Sequence, residues 1–242
     1  MKVTVILPAA GLGTRMGRAA PEKDGTSRKQ FMLLDGSPIL LYTIRKFVSS
    51  AWVSEIVVAL RADDINWVGE LLKHEGFAKP VRLVEGGDSR QQSVENALAT
   101  LSPETELVAV HDAVRPFIEH AILDKVFNEA AETGAAIVGI VPVDTVKQIQ
   151  RNKVRTTIPR ERLILTQTPQ VFRYDLLRKA FDKAREDGFT GTDESSLVER
   201  LEQVEVSVVA GSDRNIKITK PSDMDLARHF LADETAAPKA EP

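Results

Sequence analysis

Strand-like and helix-like runs alternate along most of this chain, and that rhythm leaves few architectures open. Short β-branched stretches recur at residues 3–7, 55–60, 81–84, 107–111, 135–141 and 204–210. Helical periodicity occupies the gaps between most of them, at 39–48, 65–74, 91–101, 122–131 and 176–185. A strand, a helix and a second strand joined in this way require a crossover connection, so the pattern predicts an α/β fold with three layers: a mostly parallel, twisted sheet covered by helices on both faces. Ligands of such sheets belong at the carboxyl ends of the strands.

Two segments break the rhythm. Residues 143–166 alternate apolar and polar positions (Val146, Ile149, Val154, Ile158, Leu163) among many charges, which predicts a protruding arm of paired strands. Such an arm buries little of its own surface and needs another surface to hold it, plausibly a second subunit. The end of the chain, 233–242, closes on Ala-Ala-Pro-Lys-Ala-Glu-Pro and is expected to be a disordered tail. Between these limits, 1–232 reads as a single domain, since 43% hydrophobic content over 242 residues can bury a sizeable core.

Bulk chemistry excludes several classes. With 32 Lys+Arg against 35 Asp+Glu the formal charge is −3, so no global field favours nucleic acid or an anionic membrane, and any anion site has to be local. The absence of cysteine rules out thiolate catalysis, Cys-ligated zinc, iron–sulfur clusters and disulfides. The apolar stretch 3–10 is too short for a signal-peptide core or a membrane span, and a cytosolic setting is expected.

The first strand runs into Pro8-Ala9-Ala10-Gly11-Leu12-Gly13-Thr14-Arg15-Met16-Gly17. Glycines at 11 and 13 let successive N–H groups point at an anion, and Arg15 can add charge there. The dinucleotide fingerprint fails because position 16 is Met, and the P-loop fails because Gly-Lys-Ser/Thr is absent. On two glycines alone, a tight turn without a ligand stays open. Lys29 precedes the apolar run 31–34 and, by itself, is equally a solvated surface charge. Gly86-Gly87-Asp88 follows a strand and precedes a helix; it can let a flat base approach the backbone, with the Ser93 hydroxyl nearby, or it can be a glycine turn capped by Asp88 or Ser89. Asp112 and Arg115 close the strand at 107–111 and suit either a substrate or a structural ion pair, while His111 reads as a packing residue. Lys217 alternates with Ile216 and Ile218, as a cleft-facing strand residue or an edge-strand lysine does.

Taken in order, these fragments resemble the 2-C-methyl-D-erythritol 4-phosphate cytidylyltransferases of the non-mevalonate isoprenoid pathway. The resemblance is carried by the segment 8–16, Lys29-Gln30-Phe31, Gly86-Gly-Asp-Ser-Arg-Gln-Gln-Ser93, Val110-His-Asp-Ala-Val-Arg-Pro116, Pro142-Val-Asp-Thr-Val-Lys147, Gln167-Thr-Pro-Gln-Val-Phe172, Thr192-Asp-Glu194 and Asn215-Ile-Lys-Ile-Thr219. It implies a Rossmann-like nucleotidyltransferase fold with a β-arm for dimerisation. It also implies attack by a polyol phosphate on the α-phosphorus of CTP with release of pyrophosphate, assisted by Mg²⁺.

By the same resemblance, Arg15, Lys29 and Lys217 are catalytic. Pro8, Ala9, Ala10, Gly11, Leu12, Gly13, Gly87, Asp88 and Ser93 bind the nucleotide, and Asp112, Arg115, Thr145, Arg160, Thr168 and Thr192 contact the polyol phosphate. Thr145 and Arg160 would do so in the partner subunit of a homodimer, and Asp112 is the candidate metal ligand. Arg28 stands where the family commonly has Pro, and Ile158-Pro159-Arg160 where it often has Val-Asp-Arg. Rival expectations are a ribitol 5-phosphate cytidylyltransferase, a sugar-1-phosphate nucleotidyltransferase and a non-catalytic nucleotide-binding module.

Overall fold

The structure, a computed structural model, describes residues 1–11 and 28–236. Among the described residues a seven-stranded sheet runs in the order β11 (Ser207–Ala210), β7 (Ala135–Ile140), β10 (Leu165–Arg173), β6 (Leu107–Val110), β1 (Val3–Pro8), β4 (Val53–Leu60), β5 (Val81–Glu85). All neighbours are parallel except β10, which is antiparallel to both β6 and β7. Its first strand is an interior one, flanked by β6 and β4, so Pro8 leaves the sheet between the ends of those two strands.

Period-two alternation assigns the two faces. From β1, Val3, Val5 and Leu7 enter one core with α1 (Ile39–Val48), α2 (Ala62–Glu75) and α4 (His120–Thr133), while Ile6 enters the other with α3 (Arg90–Ala99), α5 (Tyr174–Glu186) and α6 (Glu194–Glu199). Both cores are dry: Phe47, Phe127 and Phe172 are fully buried. The helices start and stop where local chemistry dictates. Asp63 and Asp64 occupy the first turn of α2, where the helix dipole favours carboxylates, and Gly76 ends it in the left-handed region at φ 59°. For α3, the Ser89 hydroxyl accepts from the Gln92 N–H at 3.0 Å, so the cap expected at Asp88 or Ser89 is Ser89.

The arm is the antiparallel hairpin β8 (Val146–Gln150) and β9 (Lys153–Ile158), turned by Arg151 and Asn152 at φ 48° and 60°. Ile149 and Val154 on it are 63% and 62% exposed. It ends earlier than predicted, because Leu165 and Thr166 already pair with β7 in the main sheet. A small two-stranded hairpin, β2 (Leu33–Leu34) and β3 (Ser37–Pro38), follows the one-turn helix at Lys29–Phe31.

Two expectations are corrected at the C-terminal end. The predicted tail begins inside a helix: α7 (Pro221–Ala236) opens with Pro at its first position and runs on through Ala236, with Arg214 paired to Asp233 at 3.1 Å. Lys217 does not lie on a strand; 216–219 is irregular chain outside the sheet, tied by Ile218 N–H to Val114 O at 3.0 Å. Ile218 and Met224 join Leu34, Ile39, Val114 and Phe117 in a third core that seats this segment. No helix of the described residues is long and apolar enough to cross a membrane.

Candidate active site

A cavity of about 440 Å³ opens at the carboxyl ends of β1, β4, β5 and β6, where an α/β sheet of this order places its ligands. Its floor is the end of β1: Pro8, Ala9, Ala10 and Gly11 all line it. Gln30, 2% exposed, donates from its amide to Ala9 O at 2.6 Å and Gly11 O at 3.2 Å, fixing where that backbone turns. Leu12, Gly13 and Arg15 lie outside the described residues.

Beyond β5, Gly87, Asp88 and Ser93, the expected nucleotide-binding residues, line the same cavity. Gly86 brings this turn against β1: an added Cβ would sit 2.7 Å from the Ala10 Cβ and 3.3 Å from Leu60 O, closer than real side chains pack. Its N–H donates to Leu60 O at 2.6 Å. Ser93 is spent on the turn itself, since its hydroxyl oxygen accepts from Gly87 N–H at 3.0 Å and lies 2.8 Å from Ser89 O. The backbone it braces is what a planar base would meet.

Lys29 and Lys217 line the same cavity although 188 residues separate them (217 − 29). Asp112 lines it too, buried and paired with three cations. Lys217 Nζ reaches Oδ2 at 2.9 Å, Arg115 Nε donates to Oδ2 at 3.2 Å, and Arg90 Nε donates to Oδ1 at 3.3 Å. Burial alone raises the Asp112 pKa, but Arg90, Lys217 and Arg115 together overcome that and hold the carboxyl well below the usual range. Both Asp112 oxygens are engaged by these cations, so a divalent ion bound there would have to displace some of them. No group of three His, Cys, Asp or Glu able to hold a metal occurs among the described residues.

Arg90 was given no role by the sequence reading. Its guanidinium bridges Asp112 to Glu194, with Nη1 2.7 and 3.0 Å from the two Glu194 oxygens. Burial pushes Glu194 up and only Arg90 opposes it, so its pKa is raised. The signal was present: Arg90 opens α3, and a cation in a first helical turn opposes the dipole unless acids wait nearby. Asn215 was likewise missed. It is fully buried, its side-chain amide donates to Gln167 Oε1 at 3.1 Å and Thr168 O at 2.9 Å, and its backbone carbonyl accepts from Arg115 Nη1 at 2.6 Å. One residue, through side chain and backbone, thus joins the segments that carry Lys217, Arg115 and Thr168.

Thr168 is drawn in behind the site instead of lining it. Its hydroxyl accepts from Asp112 N–H at 3.0 Å and meets His111 Nδ1 at 3.1 Å. Because His111 Nε2 faces the Arg115 carbonyl at 3.0 Å, that nitrogen carries the proton and Nδ1 accepts from Thr168, the neutral tautomer. Burial lowers the His111 pKa to about 4, which fits a packing residue, stacked edge-on at 4.8 Å against Phe47. An unfolded His titrates near 6.5, so between pH 6.5 and 4 the unfolded chain takes up the proton and the folded one does not. Stability is therefore expected to fall by on the order of 2 kcal/mol from pH 7 to pH 5. Denaturant unfolding at both pH values checks this, and His111→Asn should flatten the difference.

The remaining predicted contacts are not brought to this cavity within one protomer. Thr192 is exposed beside the α6 cap, and Thr145 and Arg160 are exposed on the arm, where the Arg160 guanidinium donates to Val143 O.

Comparison with known proteins follows the same outline. The model of the 2-C-methyl-D-erythritol 4-phosphate cytidylyltransferase family matches residues 3–233. The chain is 67% identical over 240 residues to a 2-C-methyl-D-erythritol 4-phosphate cytidylyltransferase of Solibacter usitatus (strain Ellin6076), covering 98% of each chain. It is 50% identical to one from Acidobacterium capsulatum, over 96% of this chain and 98% of that one. Among solved structures it is similar to a 4-diphosphocytidyl-2C-methyl-D-erythritol synthase of Anaerococcus prevotii, with a TM-score of 0.82, 30% identity and coverage of 96% and 98%.

Proposed function

The chain belongs to the 2-C-methyl-D-erythritol 4-phosphate cytidylyltransferase family, and from that premise we infer how its cavity performs the reaction. The enzyme joins the cytidylyl group of CTP to 2-C-methyl-D-erythritol 4-phosphate, forming 4-diphosphocytidyl-2-C-methyl-D-erythritol and pyrophosphate. A phosphate oxygen of the polyol attacks the α-phosphorus in line; that P–O bond forms as the bond to the β-phosphate oxygen breaks, and pyrophosphate carries away the electron pair. The attacking oxygen is already anionic, so no general base is required. What remains is to hold two polyanions together and offset the charge that gathers on the α-phosphate.

The observation that carries this reading is that Lys29 and Lys217 line one cavity together with the end of β1 and the glycine turn after β5. Gly87, Asp88 and the braced turn around Ser93 take the cytosine, Gly11 the phosphates, and the two ammoniums flank the α-phosphate. Asp112 and Arg115 orient the polyol hydroxyls. Magnesium, when bound, would be held mainly by phosphate oxygens and water, as a hard cation of this size prefers, and would offset charge on the triphosphate. Pyrophosphate release with each of the four NTPs tests the function: CTP with 2-C-methyl-D-erythritol 4-phosphate should turn over, while an equal rate with ribitol 5-phosphate or with UTP would refute the specificity.

The protein works as a homodimer in this reading. Exposed Val143, Ile149 and Val154 on the arm supply an apolar surface that one chain leaves uncovered. Thr145 and Arg160 then complete the polyol-phosphate pocket of the partner subunit. Light scattering should return twice the 26.7 kDa chain mass, and a monomer mass with full activity would refute the shared site.

A further inference from the structure

We propose that Arg28 and Asp64 act as a positioning pair that aims Lys29 into the cavity. The proposal rests on reading Lys29 as the group that meets the α-phosphate. Arg28 Nη1 and Nη2 donate to the two oxygens of Asp64, each at 2.5 Å, and the side chains are only 18% and 4% exposed. A forked, largely buried pair of this kind fixes orientation as well as adding energy, unlike an exposed one. Asp64 sits in the first turn of α2, where the dipole holds its charge, so the anchor is a rigid element.

The aromatic contacts point the same way. Arg28 lies over the Phe31 ring at 5.5 Å, and Phe31 meets Trp67 of α2 edge-on at 4.8 Å. From the other side Gln30 is bonded to the Ala9 and Gly11 carbonyls. The helix at Lys29–Phe31 is one turn long and has little internal bonding with which to hold its own direction. Its direction is set by what grips residues 28, 30 and 31: α2 on one side and the end of β1 on the other. Lys29 is the residue between those grips, and it lines the cavity. Arg28 and Asp64 do not, so their effect on chemistry runs through Lys29.

Steady-state pyrophosphate release by R28Q, D64N, K29A and the double variant R28Q/K29A tests this, with thermal unfolding recorded for each. R28Q and D64N are expected to lower kcat on the order of 10-fold to 100-fold, as a displacement near 1 Å does, with KM for CTP changed far less. In the K29A background R28Q should have no further effect, because the group it positions is gone. Full kcat in a folded R28Q or D64N overturns the proposal, and so does an R28Q loss of the same size in the K29A background. Should R28Q fail to fold, R28K keeps the charge without the fork and is expected to lower kcat on the order of 10-fold; parental kcat in a folded R28K would overturn the proposal. A fully active K29A would instead refute the reading of Lys29 itself, so the two failures are distinct.

Discussion

Replacing Lys217 by alanine is expected to lower kcat on the order of 10² to 10³-fold, the cost of removing one pre-organised charge from a phosphoryl transition state, while the chain stays folded. The fold should survive because the side chain carries none of the packing: the segment is seated by Ile218 in the third core and by Asn215 against β10, and Lys217 itself is 33% exposed. The rate should collapse because its ammonium is held at the cavity by Asp112, 2.9 Å away, ready to meet phosphate oxygens. Lys29→Ala should show the same pattern. Burst and steady-state release of pyrophosphate, with CTP binding measured separately, separates lost chemistry from lost affinity. K217R, which restores charge in a broader head group, should recover part of the loss, and a K217A enzyme with parental kcat would remove Lys217 from the reaction.

Asp112→Asn is expected to do damage of a different kind. The carboxylate sits at the convergence of Arg90, Arg115 and Lys217, and neutralising it leaves those cations facing one another in a buried pocket. Breaking a buried pair by removing one partner costs about 3–5 kcal/mol. Thermal or denaturant unfolding should register a loss of that order, together with a fall in kcat, since Lys217 and Arg115 both take their positions from Asp112. The stability loss is the discriminating readout. An unfolding midpoint equal to the parent's would show that the ion cluster is dispensable to the fold, and would return Asp112 to the simpler role of a substrate contact.

Much of this arrangement was legible in the residues. The mostly parallel sheet followed from β-branched runs spaced by helical periods, and Lys217 on the cavity with Ile218 in the core followed from simple alternation, even though the segment proved to be irregular chain and not a strand. What escaped detection has a common physical cause. Strand β10 carries Gln167, Thr168, Pro169 and Gln170, polar or turn-forming residues that read as a loop; they are buried because they hydrogen-bond to the site, Thr168 to Asp112 and Gln170 to Asp193 and Ser195. Helix α7 was missed because its apolar face is narrow, with Met224 and Ala227 its buried residues. Arg90, Gln30 and Asn215 act through partners 19 to 104 residues away, and no local pattern announces such pairings. Thr145 and Arg160 flank the arm and are exposed in this chain; their proposed role depends on the proposed second subunit.

The central claim is that two lysines far apart in sequence meet at one phosphorus. A crystal structure with magnesium and a non-hydrolysable CTP analogue tests it most directly. The expected result is an α-phosphate with oxygens about 3 Å from both Lys29 Nζ and Lys217 Nζ, hydrogen-bonding distance for charged partners. An α-phosphate bound in the cavity with either ammonium turned to solvent would contradict it.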